Sequence, residues 1–260
     1  MTQAVAGLSP VQLLERLAEI ARAAGEVIMQ IYAQDFAVRT KADDSPVTQA
    51  DELAEALITR KLTALAPDIP LVAEEAVAAG NIPAVGERFW LVDPLDGTRE
   101  FLAKNGEFTV NIALVEQGRP AAGLVFAPAL DELYAGAPGH AAWQEIRGAR
   151  TPLAVRVPPA EGLTVLGSRS HGDPAELARF VAAHKVARVI PVGSSLKLCH
   201  IAAARGDLYA RLGPTMEWDI AAGHAVLLAA GGHLNAIDGG DFLYGKPGFR
   251  NPQFVARGLN

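Results

Sequence analysis

Between Ser9 and Ile31 the apolar residues Leu13, Leu14, Leu17, Ile20, Ala21, Ala24, Val27, Ile28 and Ile31 recur with the period of an amphipathic helix. Ser9-Pro10-Val11-Gln12 supplies its start, with a hydroxyl to cap, a proline tolerated in the first turn and an amide able to reach back. So long an apolar face needs a partner. After a polar loop from Arg39 to Pro46 carrying Lys41, Asp43 and Asp44, Thr48-Gln49-Ala50-Asp51 repeats the capping pattern. Leu53, Leu57 and Leu65 mark a second helix, which Pro67 ends. The period then shortens. Ile69-Pro70-Leu71-Val72-Ala73 predicts a short strand running into Glu74-Glu75, and Phe89 to Val92 predicts another that ends in Asp93-Pro94-Leu95-Asp96-Gly97-Thr98. Phe108 to Glu116 and Ala121 to Ala127, joined by Gln117-Gly118-Arg119-Pro120, predict an antiparallel hairpin, with Glu132 to Ala135 as a third strand.

Near residues 140–152 the pattern changes to an alternation of strand and helix. Leu163 to Leu166 reads as strand, Pro174 to His184 as helix and Ala187 to Val192 as strand. A helix opens at Ser194-Ser195-Leu196-Lys197 and runs through Ala204, and a short strand spans Asp207 to Leu212. Glu217-Trp218-Asp219 begins a last helix with Ile220, Ala221, Val226, Leu227 and Ala230 apolar, stopped by Gly231-Gly232. This predicts two lobes, an α+β lobe over 1–145 and an α/β lobe over 146–260.

Half of the 260 residues are hydrophobic, 20% are charged and the net charge is −6. That balance fits a folded globule and argues against a nucleic-acid polymer as partner, since such binding rests on many Lys and Arg contacts to phosphate. A small anionic ligand is compatible if cations mediate its binding. Cys199 is the only cysteine, which rules out an intrachain disulfide and, in its helical apolar context, reads as a core residue. No apolar run reaches the roughly 18–20 residues of a membrane span, and Met1 to Pro10 lacks a basic segment followed by an apolar one. The expected location is the cytoplasm. His140, His171, His184, His200, His224 and His233 show no metal-ligand spacing.

The chemistry is carried by acids at strand ends. In Asp93-Pro94-Leu95-Asp96-Gly97-Thr98, Pro94 stiffens the bend, Gly97 permits a tight turn, and two carboxylates on a strand-end loop can hold hard divalent cations. Each acidic element also has an ordinary structural explanation. Asp51 is the third residue of a helix cap, Glu74-Glu75 could be solvated surface, and Asp219 could be a first-turn anion that the helix dipole favours.

Taken in order, Glu74-Glu75, Asp93-Pro94-Leu95-Asp96-Gly97-Thr98 and Trp218-Asp219 before a Gly-Gly stop resemble the inositol monophosphatase superfamily of metal-dependent, lithium-sensitive phosphatases. The resemblance runs from Asp51 to Gly248-Phe249-Arg250-Asn251-Pro252. Asp96-Gly97-Thr98-Arg99-Glu100-Phe101, Gly193-Ser194-Ser195-Leu196-Lys197 and Leu212-Gly213-Pro214-Thr215 are similar to its bacterial 3′(2′),5′-bisphosphate nucleotidase branch.

The resemblance implies a layered αβαβα, α+β sandwich. One Mg²⁺ is expected on Glu74, Asp93 and the Leu95 carbonyl, and a second on Asp93, Asp96 and Asp219. Asp51 is expected to position water or a weaker third ion, with Glu74 and Thr98 orienting the attacking water. Substrate contacts are expected from Asp96, Gly97, Thr98, Arg99, Lys197, Arg211 and Asp219. The implied substrate is a small phosphorylated nucleotide, 3′-phosphoadenosine 5′-phosphate or its sulfated relative, and the implied assembly is a monomer or homodimer. Inositol-specific members resemble one another in a carboxylate before the Trp-Asp pair, whereas this chain has Arg211 in that region. An inositol or sugar monophosphatase with the same metal chemistry, and a non-catalytic metal- or nucleotide-binding protein, stay open at this point.

Overall fold

The computed structural model describes residues 4–34, 38–40, 46–169 and 172–259. In chain order the elements are α1 (Pro10–Tyr32), β1 (Val38–Thr40), β2 (Pro46–Thr48), α2 (Gln49–Leu65), β3 (Leu71–Ala73), α3 (Glu74–Ala78), β4 (Arg88–Asp96), α4 (Thr98–Leu102), β5 (Thr109–Glu116), β6 (Arg119–Ala127), β7 (Glu132–Ala137), β8 (Ala141–Ile146) and β9 (Ala149–Pro152). They continue as β10 (Leu163–Ser168), α5 (Pro174–Val181), β11 (Val186–Val192), α6 (Leu196–Ala202), β12 (Leu208–Arg211), α7 (Glu217–Ala229), β13 (His233–Ala236) and β14 (Phe254–Arg257), with a turn of 3₁₀ helix at Pro247–Phe249.

Both predicted capping boxes form. Ser9 and Gln12 exchange hydrogen bonds across the first turn of α1, and Thr48 and Asp51 do the same at α2. Of the leucines that mark α2, Leu57 and Leu65 are partly buried against the core. Leu53 is 44% exposed, and the buried stripe is Ala50, Asp51, Ala54, Glu55, Ile58 and Leu62. Small side chains at 50 and 54 let the helix lie close to its neighbours, so the larger leucines fall to its flanks. The polar loop predicted over Arg39 to Pro46 is bounded by a small hairpin, since Arg39 lies in β1 and Pro46 in β2. Lys41, Asp43, Asp44 and His171 lie outside the described residues.

Among the described residues β3 to β9 form one seven-stranded sheet in sequential order, parallel only between β3 and β4. A five-stranded mixed sheet has the order β11-β10-β12-β14-β13. The hairpin and third strand expected over 108–135 are present, while β8, β9, β13 and β14 were not read from the sequence. β8 and β9 carry the first sheet past residue 145 to Pro152. Their alternation is masked because an edge hairpin leaves much of both faces wet.

Alternate residues of β4 sort into two cores. Trp90 and Val92 pack with α1 and α2, while Phe89 and Leu91 pack with α6, α7 and the second sheet. Beyond that sheet Val181 of α5, with Leu177 and Phe180, covers Val165, Leu208 and Ala210. The layers therefore run α1/α2, seven-stranded sheet, α6/α7, five-stranded sheet, α5, the expected αβαβα sandwich. Helix α7 is apolar on almost every side because it lies between two sheets. It approaches the first sheet at Gly123 and Gly136, where an added Cβ would lie 2.4 Å from the Ala222 carbonyl oxygen and 2.6 Å from the Val226 Cα.

Candidate active site

The acids predicted on a strand-end loop lie instead on the strand itself. β4 pairs with β5 through Asp93 opposite Asn111 and Asp96 opposite Thr109, so Pro94 and Leu95 face the single residue Val110. This is a β-bulge. In a regular strand residues three apart point to opposite faces. The extra residue resets the alternation and puts Asp93 and Asp96 on the face shared by Thr109 and Asn111. Leu95, only two residues from Asp93, packs into the opposite core beside α1 and α2. The Leu95 N–H donates to Asp93 Oδ1 at 3.0 Å, which fixes that carboxylate within the bulge. Gly97 follows at φ +90°, a conformation that favours glycine, and caps α4.

Asp51 serves two neighbours with its two oxygens. Oδ2 accepts the Thr48 N–H at 2.8 Å and the Thr48 hydroxyl at 2.7 Å, closing the cap of α2. Oδ1 lies 3.4 Å from the Thr98 hydroxyl, which is also 3.5 Å from the Leu95 carbonyl oxygen. The structural explanation of Asp51 thus holds together with its approach to Thr98. On the adjoining strand end Glu74 opens α3, while the Glu75 and Ala76 N–H groups donate to Glu55 at 2.7 and 2.8 Å. The second lobe contributes Asp219, whose Oδ2 accepts the Met216 N–H at 2.9 Å at the start of α7.

Glu74, Asp93, Leu95, Asp96, Gly97, Thr98, Arg99, Lys197, Arg211 and Asp219 all line one cleft of about 800 Å³ between the lobes. Asp51 lies behind it, 2% exposed. Among the described residues no three His, Cys, Asp or Glu side chains form a compact metal cluster by themselves. The acids face a common space instead.

The profile of the inositol monophosphatase family matches residues 10–256. The chain belongs to the inositol monophosphatase family. Members of this family are metal-dependent, generally through Mg²⁺. The chain is 45% identical over 245 residues to the 3′(2′),5′-bisphosphate nucleotidase CysQ of Salmonella typhimurium, covering 93% of this chain and 98% of that one. It is 34% identical to the inositol-1-monophosphatase of Mesorhizobium japonicum, over 88% of this chain and 86% of that one. The crystal structure of CysQ from Bacteroides thetaiotaomicron, a bacterial member of the family, matches with a TM-score of 0.76 at 32% identity over 95% of this chain and 97% of that one.

The electrostatics of the cleft fit the metal dependence of the inositol monophosphatase family. Burial and then the neighbouring Asp96 and Glu74 charges push the Asp219 carboxyl well above the usual carboxylate range. Burial also raises Asp96, while the Ser194 hydroxyl and the Lys197 charge oppose that rise and Glu74 adds to it. Oxygen donors that repel one another in a partly desolvated cleft are a donor set for hard divalent cations. Basic side chains line the same cleft. Lys197 is only 4% exposed, so it is no solvated surface charge. Its Nζ donates to the carbonyls of Val192, at 3.1 Å, and Ser194, and lies 5.3 Å from the centre of the Tyr209 ring. Desolvation lowers its pKa to about 8, against the attraction of Asp96. Arg211 is half-buried and donates to the carbonyls of Gly213 at 3.3 Å and Pro214 at 2.8 Å, while Arg99 and Arg250 are exposed.

Several positioning groups were not read from the sequence. Glu55 lies four residues after Asp51 on the apolar face of α2, and an acid on a buried stripe was the available signal. Glu217, fully buried, accepts the N–H groups of Gly245 at 2.7 Å and Lys246 at 3.0 Å and pairs with Lys246 Nζ at 2.6 Å. Asn251 Nδ2 donates to the Met216 carbonyl at 2.6 Å and to Thr215 Oγ1 at 3.2 Å. The Gly248 to Pro252 stretch thus clamps the start of α7 that carries Asp219. The helix expected from Ser194 begins at Leu196, because Ser194 takes the left-handed conformation at φ +51°. Cys199 is buried in the second core, and His224 is buried with Nδ1 2.8 Å from the Tyr244 hydroxyl. Among the described residues no helix is long and apolar enough to cross a membrane.

Proposed function

We propose that the protein is a Mg²⁺-dependent 3′(2′),5′-bisphosphate nucleotidase that removes the 3′-phosphate from 3′-phosphoadenosine 5′-phosphate, and by the same chemistry from its sulfated relative. The observation that carries this reading is a cleft lined by both acidic and basic side chains in a chain 45% identical to the Salmonella CysQ nucleotidase over nearly the full length of both. Because the first sheet runs on to Pro152, past the boundary expected at 145, the two lobes are assigned to 1–152 and 153–260, the protein to the cytoplasm, and the assembly to a monomer or homodimer. Glu74, Asp93 and the Leu95 carbonyl would hold one Mg²⁺, Asp93, Asp96 and Asp219 a second, and Asp51 would help position the water or a weaker third ion.

Bound there, Mg²⁺ supplies the positive charge that makes water nucleophilic near neutral pH and offsets charge on the phosphoryl group. Thr98 is held loosely, with both oxygen neighbours at the long end of hydrogen-bond range, so its hydroxyl is free to orient a water toward phosphorus. Glu74 flanks that water, and Asp51 Oδ1, through Thr98, takes the proton that leaves. Gly97 and Thr98 at the start of α4 cradle the phosphate being transferred. Asp51→Asn has one oxygen where Asp51 uses two, so it cannot keep the helix cap and also face Thr98 as an acceptor. Asp51→Asn and Thr98→Ala should each lower kcat by about 10²–10⁴-fold with the fold retained by circular dichroism. Full activity in both variants rules out the assigned roles.

Lys197 and Arg211 supply charge for the phosphate that is not cleaved. Lys197→Ala should raise KM for the bisphosphate more than for a monophosphate, and equal effects would remove the argument. The sign of the pH dependence follows from the lowered lysine pKa. Lys197 is cationic below about pH 8 and neutral above it, so kcat/KM for the bisphosphate should fall above that pH, and Lys197→Ala should lack this limb. Phosphate release with Mg²⁺, with and without Li⁺, tests the whole reading across the adenosine bisphosphate, inositol 1-phosphate and fructose 1,6-bisphosphate. Preference for inositol 1-phosphate would favour the sugar-phosphatase reading, and Mg²⁺ binding without any release would favour a binding protein.

A further inference from the structure

The second lobe reaches Asp96 through a chain of hydroxyls. Ser194 Oγ donates to Asp96 Oδ2 at 2.6 Å and lies 2.5 Å from Thr109 Oγ1. Ser195 Oγ donates to Asn111 Oδ1 at 2.7 Å and lies 2.9 Å from Thr109 Oγ1. Counting protons orders these contacts. An ionised carboxylate only accepts, so the single Ser194 proton goes to Asp96. Thr109 has one proton for three oxygens, Ser194 Oγ at 2.5 Å, Ser195 Oγ at 2.9 Å and Asn111 Oδ1 at 3.0 Å, and giving it to the nearest, Ser194, leaves Ser195 to donate to Asn111. The chain from Thr109 through Ser194 points one way and ends on Asp96.

The backbone is built to hold Ser194 there. A serine at φ +51° is uncommon and persists where its surroundings over-determine it. Lys197 Nζ ties the carbonyls on either side of Gly193, those of Val192 and Ser194. The Gly193 N–H donates to Glu107 Oε2 at 2.7 Å, and Arg169 grips the same carboxylate at 2.7 and 2.8 Å. First-lobe groups Asp96, Glu107 and Thr109 are thereby fastened to one second-lobe turn. Among the described residues the Ser194 hydroxyl is the hydrogen-bond donor to the Asp96 carboxylate, and it occupies Oδ2.

We propose that Ser194 is a positioning residue that orients the Asp96 carboxylate for Mg²⁺ and sets that ligand in register with Asp219 of its own lobe. The inference rests on the metal role proposed above for Asp96. A group that hydrogen-bonds a metal ligand typically changes metal affinity by about 10–100-fold when removed. Ser194→Ala removes the hydroxyl and keeps the left-handed residue, whereas Ser194→Gly removes the hydroxyl and relieves the conformation, so a folding defect confined to alanine is separable from the loss of the hydrogen bond. Mg²⁺ binding without substrate, by calorimetry and by the Mg²⁺-dependent rise in Tm, should shift about 10–100-fold to higher Mg²⁺ in both variants. Saturating Mg²⁺ should restore most of kcat, and Thr109→Val should shift Mg²⁺ binding in the same direction by less. Wild-type Mg²⁺ affinity in both Ser194 variants, with normal binding by the parent protein, overturns the proposal alone. A parent protein that neither binds Mg²⁺ nor releases phosphate overturns the proposed function and this inference together.

Discussion

Asp93→Asn should reduce phosphate release from 3′-phosphoadenosine 5′-phosphate by at least about 10³-fold at saturating Mg²⁺. In the proposed site Asp93 is the one side chain shared by both ions, so neutralising it weakens two positions at once. Losing several kcal/mol of transition-state stabilisation corresponds to this factor, at about 1.4 kcal/mol per tenfold. The fold should survive. Asp93 is 1% exposed, but its structural hydrogen bond is accepted from the Leu95 N–H, and the Asn oxygen can accept the same bond. Asp93→Asn keeps the size of the side chain and this acceptor, so its Tm should stay close to the parent's. Turnover within tenfold of the parent, measured on a folded variant, would exclude Asp93 as a shared ligand.

The second large effect pairs a loss with a gain. Asp219→Asn should abolish Mg²⁺-dependent turnover and yet raise Tm in Mg²⁺-free buffer. The Asp219 carboxyl is raised by burial first and by Asp96 and Glu74 next, so its ionised form is disfavoured in the folded protein. A carboxyl with a folded pKa above its unfolded value, about 3.9, binds more protons folded than unfolded in the interval between the two. Stability therefore falls as pH rises through that interval, and the penalty is fully present only above the folded pKa. The asparagine variant lacks the penalty, and its Tm in Mg²⁺-free buffer should exceed the parent's. Mg²⁺ reverses the ranking, because an ion bound only by the folded state adds about 2.7 kcal/mol at a hundredfold excess over Kd. A variant less stable than the parent without Mg²⁺ would show that Asp219 acts as a helix cap more than as a strained ligand.

The site was legible in the sequence to an unequal degree. Capping boxes at Ser9 and Thr48 were readable because each is closed within four residues by local hydrogen bonds. The strands of the central sheet were readable where both faces are buried, and β8 and β9 were not because their faces are half wet. The acids stood out as carboxylates ending apolar runs, yet their arrangement did not, since Asp93 and Asp96 share a face only through a bulge defined by pairing with β5. Lys197 was read as a substrate contact from the phrase that carries it, but its burial was not legible in the sequence. Its burial comes from the turn after β11 and from Tyr209 of β12 packing on the start of α6 that bears it, and the β12 contact is invisible in the local sequence.

By itself, then, the chain determined the local matters: where helices start, which runs are buried, which carboxylates end strands, and the order of acidic phrases that resembles the family. Tertiary structure decided what depends on partners far apart in sequence. It brought Asp219 across from α7 to the wall bearing Asp93 and Asp96, turned Asp51 to both a cap and Thr98, and set Ser194 on Asp96 from 98 residues away. The physical reason is range. Capping and periodicity are paid within a turn or two of chain, whereas a register shift, a desolvated charge or an inter-lobe hydrogen bond exists only once distant segments pack together.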